Sequence, residues 1–206
     1  KEFIIDLISE NSNQTSSQDF NTLDIFKTFF NRFEYNRFSG LRYKSQLGVD
    51  YVHETVEGSK ILDSLASIYH FSLFTQSSFE LTNKLTTQFG IRLPFHSSYS
   101  ANLIPSLHFK YDINTENQLR LSYSRGFRSP TIKELFMEFI DINHNIVGNS
   151  DLKPERSNAF QLSLSLIPKI NDKIYSSFNI EGFLNFLDNK IELARIQNTD
   201  SYTYYN

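Results

Sequence analysis

Cysteine and tryptophan are both missing from this 206-residue chain. The lack of cysteine rules out disulfides and thiolate metal sites, and it fits a reducing or an oxidising compartment equally. Only five prolines and seven glycines are present, too few for a low-complexity linker. Charge of one sign is nowhere concentrated: 20 Lys and Arg oppose 23 Asp and Glu, a formal net charge of −3. Scattered cations without a basic block argue against nucleic acid as a partner. Uninterrupted apolar runs last only a few residues, and a transmembrane helix needs roughly 20. A transmembrane β-strand needs only about 9–11 residues and is apolar on one side, so a membrane location by strands stays open. No secretory leader is visible before Lys1-Glu2-Phe3-Ile4; a processed or trimmed chain would look the same.

Aromatic residues are what the chain has in quantity: 20 Phe and 11 Tyr, 15% with Trp absent. That composition is far from disorder and suits pleated β-structure. The dominant period is two. Leu85, Thr87, Phe89, Ile91, Leu93 and Phe95 alternate with Thr86, Gln88, Gly90 and Arg92. Leu41, Tyr43, Leu47, Val49 and Tyr51 alternate with Arg42, Lys44, Gln46, Gly48 and Asp50; Leu119–Tyr123 and Phe160–Leu166 read the same way. Such alternation predicts strands with one apolar face. Weaker alternations cover about 2–8, 23–38, 67–81, 103–111, 175–186 and 190–196, for nine or ten strands in all.

Connection lengths carry a second signal. The turns at 81–84, 112–117 and 168–173 are short and rich in Asn, Asp, Lys and Pro. Those at 53–64, 96–102 and 129–154 are longer, so short and long alternate from about residue 52 onward. Transmembrane barrels segregate loops in this way, whereas a soluble sandwich has no reason to. One segment breaks the period: Ile132, Leu135, Phe136 and Phe139 fall at helical spacing after Pro130. A short helix is expected there, with Ser129 as N-cap and Pro130 in its first turn.

Gly126-Phe127-Arg128-Ser129-Pro130, Lys133-Glu134-Leu135, Gly148-Asn149 and Leu152-Lys153-Pro154-Glu155 follow in that order. This series resembles the barrel portion of TonB-dependent outer-membrane receptors, which often read G-F-R-A-P, a loop, then G-N-P-x-L-x-P-E. Gln76 after Leu73-Phe74, Gly90-Ile91-Arg92, Pro105 and Tyr204-Tyr205-Asn206 match further pieces in sequence. Ser129 stands where Ala is usual, and Ser150 where Pro is usual. The likeness is continuous from about residue 40 to Asn206 and points to a Bacteroidetes-like receptor for haem, iron or cobalamin. It implies an all-β fold of antiparallel up-and-down strands, part of a transmembrane β-barrel, with one short helix in a long loop. Such barrels have about 22 strands and an N-terminal plug. Residues 1–206 are therefore expected to be an interior slice of a barrel, in the outer membrane of a Gram-negative bacterium. The implied function is energised uptake of haem or a ferric siderophore, or of cobalamin. The implied partners are outer-membrane lipid, a small-molecule ligand and the TonB complex acting through a plug. The slice alone is expected to self-associate through its edges.

No G-x-S-x-G, H-E-x-x-H, Walker or Rossmann pattern occurs, so the chain is read as a non-enzyme with no catalytic residue and no intrinsic cofactor. Asp141-Ile142-Asn143-His144-Asn145 fails the EF-hand pattern, because Ile146 and Leu152 stand where Gly and Glu are needed. The five histidines show no metal-ligand pair spacing. By resemblance to haem-uptake receptors, which carry a loop His between these two boxes, His144 is a candidate axial ligand of a transported haem iron, with Asp141, Asn143 and Asn145 beside it. A plain polar loop is the competing account. Arg125 and Arg128 bracket the loop entry, either as a cationic rim for an anionic ligand or as structural partners of Glu134 and Glu155 within the lumen. Phe71, Phe79, Phe95, Phe109, Tyr111 and Tyr123 are expected at headgroup level, or in the core of a sandwich. Two rival readings of the whole chain are a soluble β-sandwich that binds carbohydrate and a passive porin-type barrel.

Overall fold

The computed structural model describes residues 2–15, 23–40, 42–100, 102–140, 145–167, 169–171 and 174–206. Strand follows strand: β1 (Glu2–Thr15), β2 (Leu23–Ser39), β3 (Tyr43–Glu57), β4 (Leu65–Glu80), β5 (Leu85–His96), β6 (Ile104–Asp112) and β7 (Gln118–Arg128). The long loop then holds helix α1 (Ile132–Phe136) and the short strands β8 (Glu138–Ile140) and β9 (Asn145–Val147). The series resumes with β10 (Glu155–Leu166), β11 (Lys169–Asn171), β12 (Ile174–Tyr175), β13 (Phe178–Asp188), β14 (Glu192–Arg195) and β15 (Tyr202–Tyr205).

Nine of these strands form one sheet in the order β1-β2-β3-β4-β5-β6-β7-β10-β13, an up-and-down meander. Every neighbouring pair is antiparallel. The first strand is longer than its alternation suggests, because the backbone ladder to β2 continues to Thr15. A smaller sheet, β14-β15-β9-β8, lies at the long-loop end.

The sheet has two unlike faces. Cross-strand partners point to the same side, so the register sorts residues without ambiguity. Arg32 opposes Asp50, Asp50 opposes Ser72, Phe74 opposes Arg92, and His70 opposes His96. Further along, Gln88, His108, Ser122 and Gln161 stand in one row of that polar face. On the other face, Leu47, Leu73, Leu93, Leu121, Leu162 and Leu184 lie exposed. All six aromatics expected at headgroup level are on this apolar face. Tyr43 and Phe79 rings sit 4.9 Å apart near the short turns, and Phe71 and Phe95 5.9 Å apart toward the long loops. Phe71 and Phe79 lie on one strand; at about 3.3 Å per residue they are about 26 Å apart. That height fits rings placed just inside the edges of the apolar band of roughly 25 Å in outer-membrane barrels.

Among the described residues nothing covers the apolar face. A compact soluble chain of 24.1 kDa would expose about 10,000 Å², whereas this one exposes 14129 Å². A sandwich needs a second sheet packed about 10 Å away, and the described residues form none. The sandwich reading is therefore overturned.

What core exists is on the polar side, at the long-loop end. Val56, Ala66 and Ile68 project from β3 and β4, and α1 lays Ile132 on them together with Ile61. The helix differs from expectation in its start. Its N-cap is Thr131, whose hydroxyl accepts from the Glu134 N–H while the Glu134 carboxylate accepts from the Thr131 N–H. This reciprocal capping box outcompetes Ser129, because only Thr131 has an acid three residues on; Pro130 lies buried just before the cap. The helix ends at Phe136, and Phe139 belongs to β8.

Candidate ligand site on the polar face beneath the long loop

Alternation and register build the site before any side chain is considered. Two hairpins and one longer connection bring Arg32, Asp50, Ser72 and Arg92 from four strands to one patch of the polar face. Arg32 donates to both Asp50 oxygens, at 2.6 and 3.1 Å. Arg92 Nη1 donates to Asp50 Oδ2 at 2.5 Å and to Ser72 Oγ at 2.7 Å. Asp50 is buried, so its charge is held by two guanidiniums, the condition under which burial of a carboxylate is tolerated. The Phe74 ring fills the space above Gly48, where a Cβ would come within 2.2 Å of it. Both guanidiniums lie over that ring, at 4.8 Å for Arg92 and 5.8 Å for Arg32. Planar, fixed and forked, they are preorganised for an anionic oxygen.

Toward the loop, His70 and His96 meet edge to face with ring centres 4.3 Å apart. His96 Nδ1 accepts from the Ser98 N–H at 2.9 Å. The neutral ring therefore carries its proton on Nε2, and that atom is buried without a partner. Tyr99 continues the column, 5.0 Å from His96; burial, helped by the Glu134 charge, pushes its phenol above the ordinary value. A cavity of about 430 Å³ opens among Arg32, Asp50, His70, Arg92, His96 and Arg128. A second, of about 380 Å³, lies toward the short turns between Gln88, His108, Lys110, Arg120, Gln161 and Glu181. Among the described residues no group of three or more His, Asp or Glu is arranged to hold a metal ion.

The long loop is braced where it leaves β7, beside the upper cavity, by the motif residues themselves. Arg128 donates to Glu155 at 2.8 and 3.0 Å and to Glu134 at 2.9 Å. Glu155 also accepts from the Ile191 N–H at 2.7 Å. Asn149 donates to the Tyr204 carbonyl at 2.8 Å, and Asn206 donates to the Lys153 and Asn189 carbonyls at 2.9 and 2.8 Å. At Gly148 a Cβ would come within 2.7 Å of the Leu135 backbone, so only glycine lets the returning chain pass under α1. The G-F-R, G-N, P-E and Y-x-N pieces thus form one brace.

The site residues expected from sequence separate accordingly. Arg128 joins Glu134 and Glu155 as the structural account supposes. Arg125 does not accompany it: three residues earlier on β7, it faces the apolar side, opposite Asn158. A rim made of both arginines is therefore not formed, because odd and even positions of a strand point opposite ways. Asn145 lies in β9 and donates to Ser201 at 2.7 Å. Asp141, Asn143 and His144 fall outside the described residues. Arg32, Asp50, His70, Arg92 and His96 were missed by motif reading.

The TonB dependent receptor-like β-barrel family model matches residues 5–206. The chain belongs to this family. Among curated proteins it is similar to the iron-regulated outer membrane virulence protein of Vibrio cholerae serotype O1, with 29% identity over 124 residues. That match covers 57% of this chain and 19% of the relative. The haemoglobin and haemoglobin-haptoglobin-binding protein A of Haemophilus influenzae is 34% identical over 87 residues, 40% of this chain and 8% of that protein. The chain thus spans less than a fifth of these relatives. Among solved structures, the Pseudomonas aeruginosa siderophore receptor PirA matches with TM-score 0.74 at 19% identity, over 90% of this chain and 38% of that one. The Serratia marcescens hemophore receptor HasR, solved with its hemophore HasA and haem, gives TM-score 0.75 at 14% identity with the same coverage. These two show the shared fold. Nothing in these matches bears on a Bacteroidetes origin. Within a barrel of this family the apolar face meets lipid and the polar face is the lumen.

Proposed function

We propose that this chain is a stretch of lumen wall in an outer-membrane receptor that takes up an iron compound, haem or a ferric siderophore, with energy delivered by a TonB-type complex through a plug. The remaining strands and the plug belong to the rest of the receptor. The observation that carries the reading is the upper cavity: two guanidiniums, a buried imidazole N–H without an acceptor and the root of the braced loop at Arg128 and Ser129 converge on about 430 Å³ of lumen. An anionic ligand satisfies the orphaned donor, and partial desolvation strengthens its contacts with both arginines. Names of relatives support the ligand class: siderophore, haem and haemoglobin recur among them.

The test uses the full-length receptor. Haemin and a ferric catecholate siderophore are titrated into wild type, R92Q and H96A. Each substitution is expected to weaken the ligand by about tenfold, a typical loss for one charge-assisted contact. Unchanged affinity for both ligands removes the site. His144, with Asp141 and Asn143 beside it, belongs to the same proposal as an axial ligand of haem iron; equal haemin affinity in wild type and His144→Ala removes that role. Uptake that continues after loss of TonB refutes energy coupling and restores the porin reading.

A further inference from the structure

The arginines at the loop end are treated differently on the two faces. In the lumen, Arg32, Arg92 and Arg128 each meet a carboxylate. On the lipid face, Arg125 and Arg156 meet none among the described residues. The register sets Arg125 opposite Asn158 and Arg156 opposite Phe127, so the two are diagonal neighbours on β7 and β10. They lie next to Tyr123 and Phe160, whose rings are 4.9 Å apart on the same face. Phe186 extends that aromatic cluster from β13, 6.5 Å from Phe160. Such rings mark the headgroup level, and the arginines stand just beyond them, toward the long loop.

The local hydrogen bonds leave donors and almost no acceptor. Tyr123 Oη donates to Asn158 Oδ1 at 3.0 Å. That bond fixes the amide with its Nδ2 group free to donate. Arg156 Nε is buried and has no partner among the described residues, so any contact with lipid falls to the rest of its guanidinium. Asp188 stands across the rung on β13, yet Arg156 makes no ion pair with it. At this height the available acceptor is a lipid headgroup, and the guanidinium fork fits phosphate in bidentate geometry.

We propose that Arg125, Arg156 and Asn158 form a binding site for the phosphate of an outer-leaflet lipid, clamped to the outside of the wall where the long loop departs. The inference rests on the family reading that the apolar face meets lipid, and it is independent of which ligand the lumen carries. It gives β7 and β10, the strands that flank the braced loop, an anchor on the membrane side opposite the Arg128 brace.

The experiment compares binding of diphosphoryl lipid A and of the same lipid without its phosphates to the full-length receptor in detergent, followed by native mass spectrometry. Wild type is expected to prefer the phosphorylated form by about tenfold, R125Q/R156Q to lose that preference, and R125K/R156K to keep most of it. Inorganic phosphate at matched concentration is expected not to compete. Equal preference in wild type and R125Q/R156Q overturns the site, as does full displacement by inorganic phosphate, which would mark a soluble-anion site. If R125Q/R156Q fails to assemble, the single variants R125Q and R156Q are read in the same way: a partial loss of preference in each supports the site, and none in either overturns it. A receptor that binds its iron compound normally but shows no phosphate preference sinks this proposal alone.

Discussion

Replacing Asp50 by Asn removes the negative charge that two arginines share and leaves the shape almost unchanged. Asp50 accepts from Arg32 Nε, Arg32 Nη2, Arg92 Nη1 and, more weakly at 3.5 Å, from Ser72. The carboxylate side chain is 8% exposed, and the arginines are 34% and 38% exposed. Breaking a fully buried pair costs about 3–5 kcal/mol. Guanidiniums about a third exposed recover part of that by hydration, so we expect about 2 kcal/mol in total for the receptor. The assay is a double-mutant cycle of D50N, R92Q and D50N/R92Q, read by denaturant unfolding of the full-length receptor in lipid vesicles. R92Q alone should cost less than D50N, and the double variant less than the sum, with a coupling of about 1 kcal/mol. Additive effects, or a cost below about 0.5 kcal/mol for D50N, the level of an ordinary surface change, would refute the claim that the patch is a partly desolvated network. The same variant should also loosen ligand affinity, because the guanidiniums lose the group that orients them over Phe74.

Sidedness predicts opposite outcomes for one chemical change: Leu47→Arg on the lipid face, opposite Thr75 and so midway between the Phe71 and Phe79 levels, should cost about 2–4 kcal/mol, whereas Ser122→Arg on the lumen face should be nearly neutral in the same unfolding assay. Gly148→Val must push α1 away from the returning loop; limited proteolysis should cut within 129–154 in this variant and spare wild type. Asn206→Ala removes the contacts to Lys153 and Asn189 and should raise cleavage in the same segment without altering barrel assembly. Residues 1–206 produced alone should show no single-channel conductance in a planar bilayer, because β1 and β13 each pair on one side only; a stable pore would refute this.

Much of the arrangement follows from counting along the chain. Period-two alternation assigns each residue of the sheet to a face, and short turns set the local register. Counting outward from Asn83 puts Phe74 opposite Arg92 and His70 opposite His96; counting outward from residue 41 puts Arg32 opposite Asp50. The histidine pair and half of the arginine network were therefore readable. Motif reading missed them because it looked for chemistry at fixed spacing within one segment. The opposite faces of Arg125 and Arg128 were equally readable from an odd separation on one strand.

Other features needed the folded chain. The pairing of Asp50 with Ser72 spans the connection 58–64, whose length admits more than one register, so a shared carboxylate was not countable. The capping contest between Ser129 and Thr131, by contrast, was countable, because Thr131-Ile132-Lys133-Glu134 spells a capping box and Ser129 has Ile132 three residues on. Above all, the brace unites Arg128, Glu155, Asn149 and Asn206 across segments far apart in the chain. Each of those residues advertised a family, while the hydrogen bonds that give it a purpose exist only once the long loop has folded against β10 and the C-terminal strand. Alternation determines which way a side chain points because strand geometry is local; which side chains meet across loops is decided by packing, which is not.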